Sequence, residues 1–70
     1  MAEVRAEMVA NVWRVVVAEG DQVSEGDTLV ILESMKMEIP VLAEDSGKVT
    51  KLHVAEGDVV QEDDLIAVID

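Results

Sequence analysis

Seventy residues with sixteen acidic and five basic side chains give a formal net charge of −11, which repels nucleic acid and anionic membranes and favours basic partners. A chain this short buries only about 60% of the surface its unfolded form exposes, so one domain without an enzyme-sized pocket is expected. There is no Cys, which excludes disulfides and thiolate metal sites.

Met1-Ala2-Glu3 lacks the basic region and apolar run of a signal peptide, and no stretch is apolar for long enough to span a bilayer, so a cytoplasmic location is expected. The apolar half of the composition is aliphatic and rich in Val, which favours strands. Trp13 is the sole aromatic residue.

The chain repeats itself. Shifted by 37 positions, residues 1–33 lie over residues 38–70 without a gap, with 12 identities in 33 pairs. They include Val17-Ala18-Glu19-Gly20-Asp21 over Val54-Ala55-Glu56-Gly57-Asp58, and Val23, Glu25 and Asp27 over Val60, Glu62 and Asp64. Ser34-Met35-Lys36-Met37 alone has no counterpart, so two like halves flank a four-residue joint.

Residues 3–7 alternate polar and apolar, the period of a strand with one buried face. Met8 to Asn11 lies over Asp45-Ser46-Gly47-Lys48, and the turn signal there, with the tolerance of Asn for left-handed backbone, predicts a turn in both places. Val12 to Ala18 and Val49 to Ala55 keep apolar residues at 12/49, 15/52 and 17/54 while 13/50, 14/51 and 16/53 vary. An apolar spacing of three and then two is no regular pleat and predicts bulges at Trp13-Arg14 and Thr50-Lys51. Ala18 to Asp21 and Ala55 to Asp58 read as Gly-Asp turns, Val23 and Val60 as very short strands, and Glu25-Gly26-Asp27 and Glu62-Asp63-Asp64 as further turns. Leu29 to Leu32 and Ile66 to Ile69 are continuous apolar runs, expected to be strands covered on both faces.

About eight short strands punctuated by Gly, Asp and Asn predict an all-β sandwich or flattened barrel. The repeat adds a pseudo-twofold axis, which makes the gap between residues 70 and 1 equivalent to the joint and places the chain ends together, at the pole opposite Lys36.

Val30 to Glu33 and Glu38 to Leu42 then form a hairpin centred on Met35-Lys36. Tight hairpins favour Asn-Gly or Gly-X at the centre, because positive φ is cheap there for those residues, and Met-Lys breaks that rule. A helix over Leu32 to Ile39 suits the composition, but it would be short and uncapped before Pro40, and the repeat leaves no room for it. A position that breaks its local rule without a packing reason is where function is expected. Lys36 is the only basic residue between Arg14 and Lys48, and Met35 and Met37 flank it. An ordinary solvated lysine needs no apolar neighbours, whereas a soft, adaptable methionine pair suits a surface that a partner reads. A flexible amine at a rigid tip suits attachment of an outward-reaching group.

Glu33-Ser34-Met35-Lys36-Met37-Glu38, with Val17-x-x-Gly20-Asp21-x-Val23 before it and Gly47-x-Val49 and Val54-x-x-Gly57-Asp58-x-Val60 after it, resembles the biotinyl/lipoyl carrier domain family. The likeness runs from about Val4 to Asp70 and is to small biotin/lipoyl attachment proteins and to biotin carboxyl carrier domains of acyl-coenzyme A, pyruvate and related carboxylases. It implies one carrier domain over residues 1–70, a flattened barrel of two four-stranded antiparallel sheets, and a carrier that is itself no enzyme. It implies covalent biotin on Lys36, attached by a biotin protein ligase that makes biotinyl-adenylate from biotin and ATP, with lipoate as the alternative group. Met35 and Met37 take recognition roles favouring biotin, and Glu33, Ser34 and Glu38 form the hairpin flank. Biotin carboxylase and carboxyltransferase components are the further partners implied, with the domain as a mobile tether.

The chain departs from the family pattern in Ser34, where Ala is usual, and in Ala6-Glu7-Met8-Val9-Ala10, where Ala-Pro-x-Pro-Gly is frequent. The protruding first-half insertion of some carboxylase carriers is absent. An unmodified adaptor built on the same barrel is the alternative of a different class. His53 shares its slot with Val16 and reads as a solvent-facing strand residue. Glu44-Asp45 and Glu62-Asp63-Asp64 lack the ligand spacing of a calcium loop and read as solvated acidic surface. Trp13 is expected to cap one edge of the core, and the high charge favours a monomer.

Overall fold

A computed structural model describes all 70 residues as strands and turns, with no helix. The strands are β1 (Ala2–Arg5), β2 (Ala10–Val15), β3 (Gln22–Val23), β4 (Thr28–Ser34), β5 (Met37–Leu42), β6 (Gly47–Leu52), β7 (Val59–Val60) and β8 (Leu65–Ile69). They form two four-stranded antiparallel sheets, ordered β1-β8-β6-β3 and β5-β4-β2-β7. The 37-residue shift carries each strand of one sheet onto a strand of the other in the same order, so the pseudo-twofold exchanges the sheets. Each sheet draws two strands from each half, and neither half has a sheet of its own.

The repeated Val-Ala-Glu-Gly-Asp segment clasps the halves together. Gly20 N–H donates to Val49 O (2.7 Å) and Gly57 N–H to Val12 O (2.9 Å), each turn reaching the strand of the opposite half. Val49 N–H and Val12 N–H return bonds to Asp21 O and Asp58 O at 2.9 and 2.8 Å. The Glu19 and Glu56 carboxylates accept from Leu52 N–H and Val15 N–H at 3.0 and 3.4 Å, satisfying backbone donors where the ladder stops. The Asp21 and Asp58 carboxylates close their own turns by accepting from Ala18 N–H and Ala55 N–H at 3.0 and 2.9 Å. Gly20 and Gly57 sit at φ 95° and 94°, a region that glycine enters without steric cost.

The 14 buried residues are all apolar, and the core lies between the sheets around Leu29, Val30, Leu32, Val12, Val49 and Ile66. Burying a side chain of the Leu, Ile or Val kind stabilises by about 1.5–3 kcal/mol, and this layer is what holds so small a domain together. The predicted bulges are present: Val12 and Arg14 pair with adjacent residues Leu32 and Ile31, leaving Trp13 extra, and Val49 and Lys51 likewise leave Thr50 extra. The Arg14 guanidinium stacks 5.0 Å from the Trp13 ring, whose residue is 43% exposed, so Trp13 lies on the surface rather than sealing the core edge.

Two further expectations are corrected. Asn11 lies inside β2, paired with Glu33 and Val59; the bend falls at Glu7-Met8, because the backbone from residue 10 onward is already engaged in the ladder. Gly47 likewise begins β6 rather than making a turn, and a Cβ there would stand 2.6 Å from Asp70 O and 2.9 Å from Ile69 Cγ2, so its role is close backbone approach. The apolar runs of β4 and β8 are covered on both faces as expected: Leu29, Val30, Leu32 and all of Ile66 to Ile69 are buried, and only Ile31 is half-buried. A second pair of bulges, at Leu29 and Ile66, turns consecutive residues toward the core.

The chain ends meet, with the Met1 amino group 3.9 Å from Asp70 Oδ1. That contact is exposed and adds little stability. It stands where the repeat places the counterpart of the β4–β5 joint.

Candidate functional site

The joint is a two-residue hairpin. β4 and β5 pair through Leu32↔Ile39, Glu33↔Glu38 and Ser34↔Met37, leaving Met35 and Lys36 alone at the apex. Their φ values are 52° and 65°, so both central residues are left-handed, as a type I′ connection requires. For residues bearing a Cβ this costs roughly 1–2 kcal/mol each, so local preference does not select Met-Lys here. The register of β4 against β5 on one side and β2 on the other holds the geometry instead.

The apex is open. Met35 is 91% exposed and Met37 64%, with Lys36 exposed between them. Neither of the protein's two ion pairs involves Lys36, and its amine is bound by no side-chain hydrogen bond. Glu33 and Glu38 stand directly opposite each other, both exposed, below the tip, and facing like charges in a sheet are unfavourable. Ser34 is half-buried. All six residues singled out from the sequence therefore lie on one hairpin end. Chemically the arrangement offers a flexible primary amine on a rigid base, flanked by thioethers and underlain by two carboxylates. Once deprotonated, such an exposed amine can act as a nucleophile.

His53 is exposed beyond β6, and its backbone N–H donates to Ile66 O at 2.8 Å. One feature had no signal in the sequence: an open groove of about 150 Å³ between the edge strands β1 and β5, lined by ten residues, six of them apolar. Its walls come from residues far apart in sequence, and only the exposure of Met8 and Leu42 at its rim marks them as unusual.

The Biotin_lipoyl family model, described as "Biotin-requiring enzyme", matches residues 2–69. The "Biotinylated protein TB7.3 homolog" of Mycolicibacterium smegmatis is 80% identical over 44 residues, covering 61% of this chain and 62% of that protein. The protein of the same name from Mycobacterium leprae is 69% identical over 51 residues, covering 71% of this chain and 72% of its own length. Among solved structures, Kluyveromyces lactis urea carboxylase contains a region that superposes with a TM-score of 0.92 at 42% identity, covering 99% of this chain and 6% of the carboxylase. The match thus spans less than two thirds of the M. smegmatis relative and a small part of the carboxylase.

Proposed function

The chain belongs to the biotin/lipoyl domain family, and from that premise we propose that it is a biotin carrier whose acceptor is the Lys36 amine. The observation that carries this reading is the apex itself: a lysine held at positive φ, exposed and without a partner, between two exposed methionines. A biotin protein ligase would supply the activated acyl group and the base. Nζ would form an amide with the biotin carboxyl carbon, adenylate would leave, and Nζ would lose a proton. Met35 and Met37 would pack against the ligase, and Glu33, Ser34 and Glu38 would hold the tip at a fixed distance from the barrel. The names of the M. smegmatis and M. leprae relatives specify biotinylation, which supports biotin over lipoate.

When bound, biotin supplies a ring nitrogen that accepts and delivers a carboxyl group. The chain's part is to present that ring and move it between a biotin carboxylase and a carboxyltransferase component, as a single non-catalytic domain over residues 1–70. The likeness to a region of a urea carboxylase supports such partners. We assign the protein to the cytoplasm as a monomer, in keeping with its charge of −11 and the absence of any helix long and apolar enough to cross a membrane. The test is reaction with purified biotin protein ligase, ATP and either biotin or lipoate. One biotinyl group per chain, lost in Lys36→Arg and retained in Lys48→Arg and Lys51→Arg, is the expected outcome. Labelling that persists in Lys36→Arg overturns the assignment.

A further inference from the structure

We propose that Met35 and Met37 are a redox-sensitive modification site: conversion to sulfoxides closes Lys36 to acylation, and reduction reopens it. This rests on the carrier reading above. The chain has no Cys, so all of its sulfur is in four thioethers, at positions 1, 8, 35 and 37. None of them is among the 14 buried residues. A sulfoxide in a core disrupts packing, but here every thioether can be oxidised while the layer between the sheets stays apolar. The chain's redox chemistry is therefore confined to its surface, and half of its thioethers flank one amine.

Met35 stands at the two-residue apex and Met37 at the first position of β5, both open to solvent. A hydroperoxide reaches either sulfur. The sulfur lone pair attacks the terminal oxygen, the O–O bond breaks and an S–O bond forms. The hydroxide or alkoxide released takes the remaining hydroperoxide proton and leaves as water or alcohol. The thioether has then given up an electron pair and the peroxide has gained it. A dithiol reductase reverses the change, becoming a disulfide while the oxygen leaves as water. The sulfoxide replaces soft apolar surface beside the amine with a polar, hydrogen-bond-accepting group. Losing the burial of one methionine against a partner corresponds to roughly a tenfold loss in rate or more. The new oxygen also offers the Lys36 ammonium an acceptor, where neither ion pair of the protein now engages it. Met1 is a built-in control: it is as exposed as Met35, at 91%, but stands at the chain ends beside Asp70.

The test lets the ligase choose within one sample. The full chain is partly oxidised with hydrogen peroxide, the peroxide is removed, and biotin protein ligase, ATP and biotin are added. The reaction is stopped at low conversion and avidin separates biotinylated from unmodified chains. Cleavage after Glu33 and Glu38 releases Ser34–Glu38, which carries both tip thioethers and the lysine, for mass analysis. Sulfoxide at Met35 or Met37 is expected to be depleted roughly tenfold in the biotinylated fraction, with Met1 sulfoxide equal in both fractions. Methionine sulfoxide reductases with a dithiol are expected to restore biotinylation of the unmodified fraction, and an amide spectrum of the oxidised chain should show the native fold. Tip sulfoxide spread equally over both fractions overturns the switch and leaves the carrier intact. So do equal depletion of Met1 sulfoxide, loss of the native spectrum on oxidation, failure of the reductases to restore the reaction, or tip thioethers that stay reduced while Met1 is oxidised. An untreated chain that the ligase leaves unmodified overturns both readings.

Discussion

Five tight turns shape this barrel, and four of them differ in kind from the fifth. The turns at Gly20, Gly26, Gly57 and Asp63 each reverse the chain with one left-handed residue followed by an aspartate whose carboxylate accepts a backbone N–H three residues back, at 2.8 to 3.0 Å. Three of the four use glycine at the left-handed position. Met35-Lys36 places two side-chain-bearing residues in that region and has no carboxylate to close the turn. The four turns are satisfied locally, whereas the tip is held by the strands below it. On the proposed reading, local preference is overridden there because the Lys36 side chain must stand at the apex.

Removing the acceptor separates the two kinds of turn most sharply. Lys36→Arg keeps charge and fold and is expected to abolish biotin incorporation completely on a streptavidin blot, with an unchanged denaturation midpoint. Gly57→Ala has open space for its methyl but a φ of 94°, so urea denaturation should show a loss of about 1–2 kcal/mol from backbone conformation alone. The converse change at the tip, Met35→Asn with Lys36→Gly, installs preferred type I′ residues and should raise stability by roughly 1–2 kcal/mol while ending acceptor activity. Equal stability in that double variant would mean that the tip is not strained. Asp21→Ala and Asp58→Ala should each cost about 1 kcal/mol, and by similar amounts, since the repeat gives them the same bond. Glu38→Lys, which turns a like-charge cross-strand pair into an opposite one, should stabilise by only about 0.2–1 kcal/mol, an effect that shrinks in salt.

Much of this was legible because the chain is written twice. Comparison of Val12–Ala18 with Val49–Ala55 separated required from permitted apolar positions and located the bulges at Trp13 and Thr50. The gap-free alignment, which leaves only Ser34 to Met37 unmatched, located the hairpin centre. The repeat was blind where both halves carry the same ambiguity. Leu29 to Leu32 and Ile66 to Ile69 are apolar throughout in either copy, so no polar residue betrays the bulges at Leu29 and Ile66. At Asn11 and Gly47, turn-forming residues sit in strands for tertiary reasons: ladder pairing at the first, and at the second the approach of Asp70 O that leaves no room for a Cβ. The β1–β5 groove depends on edges brought together by the sheets, and no local pattern records it.

The most direct measurement is peptide mapping by tandem mass spectrometry of the protein isolated from biotin-replete cells, reading every lysine. One biotinyl group on Lys36 Nζ, with Lys48 and Lys51 free, is expected from an exposed amine at a strand-held apex. Biotin on Lys48 or Lys51, or an unmodified Lys36 alongside an active ligase, would contradict it.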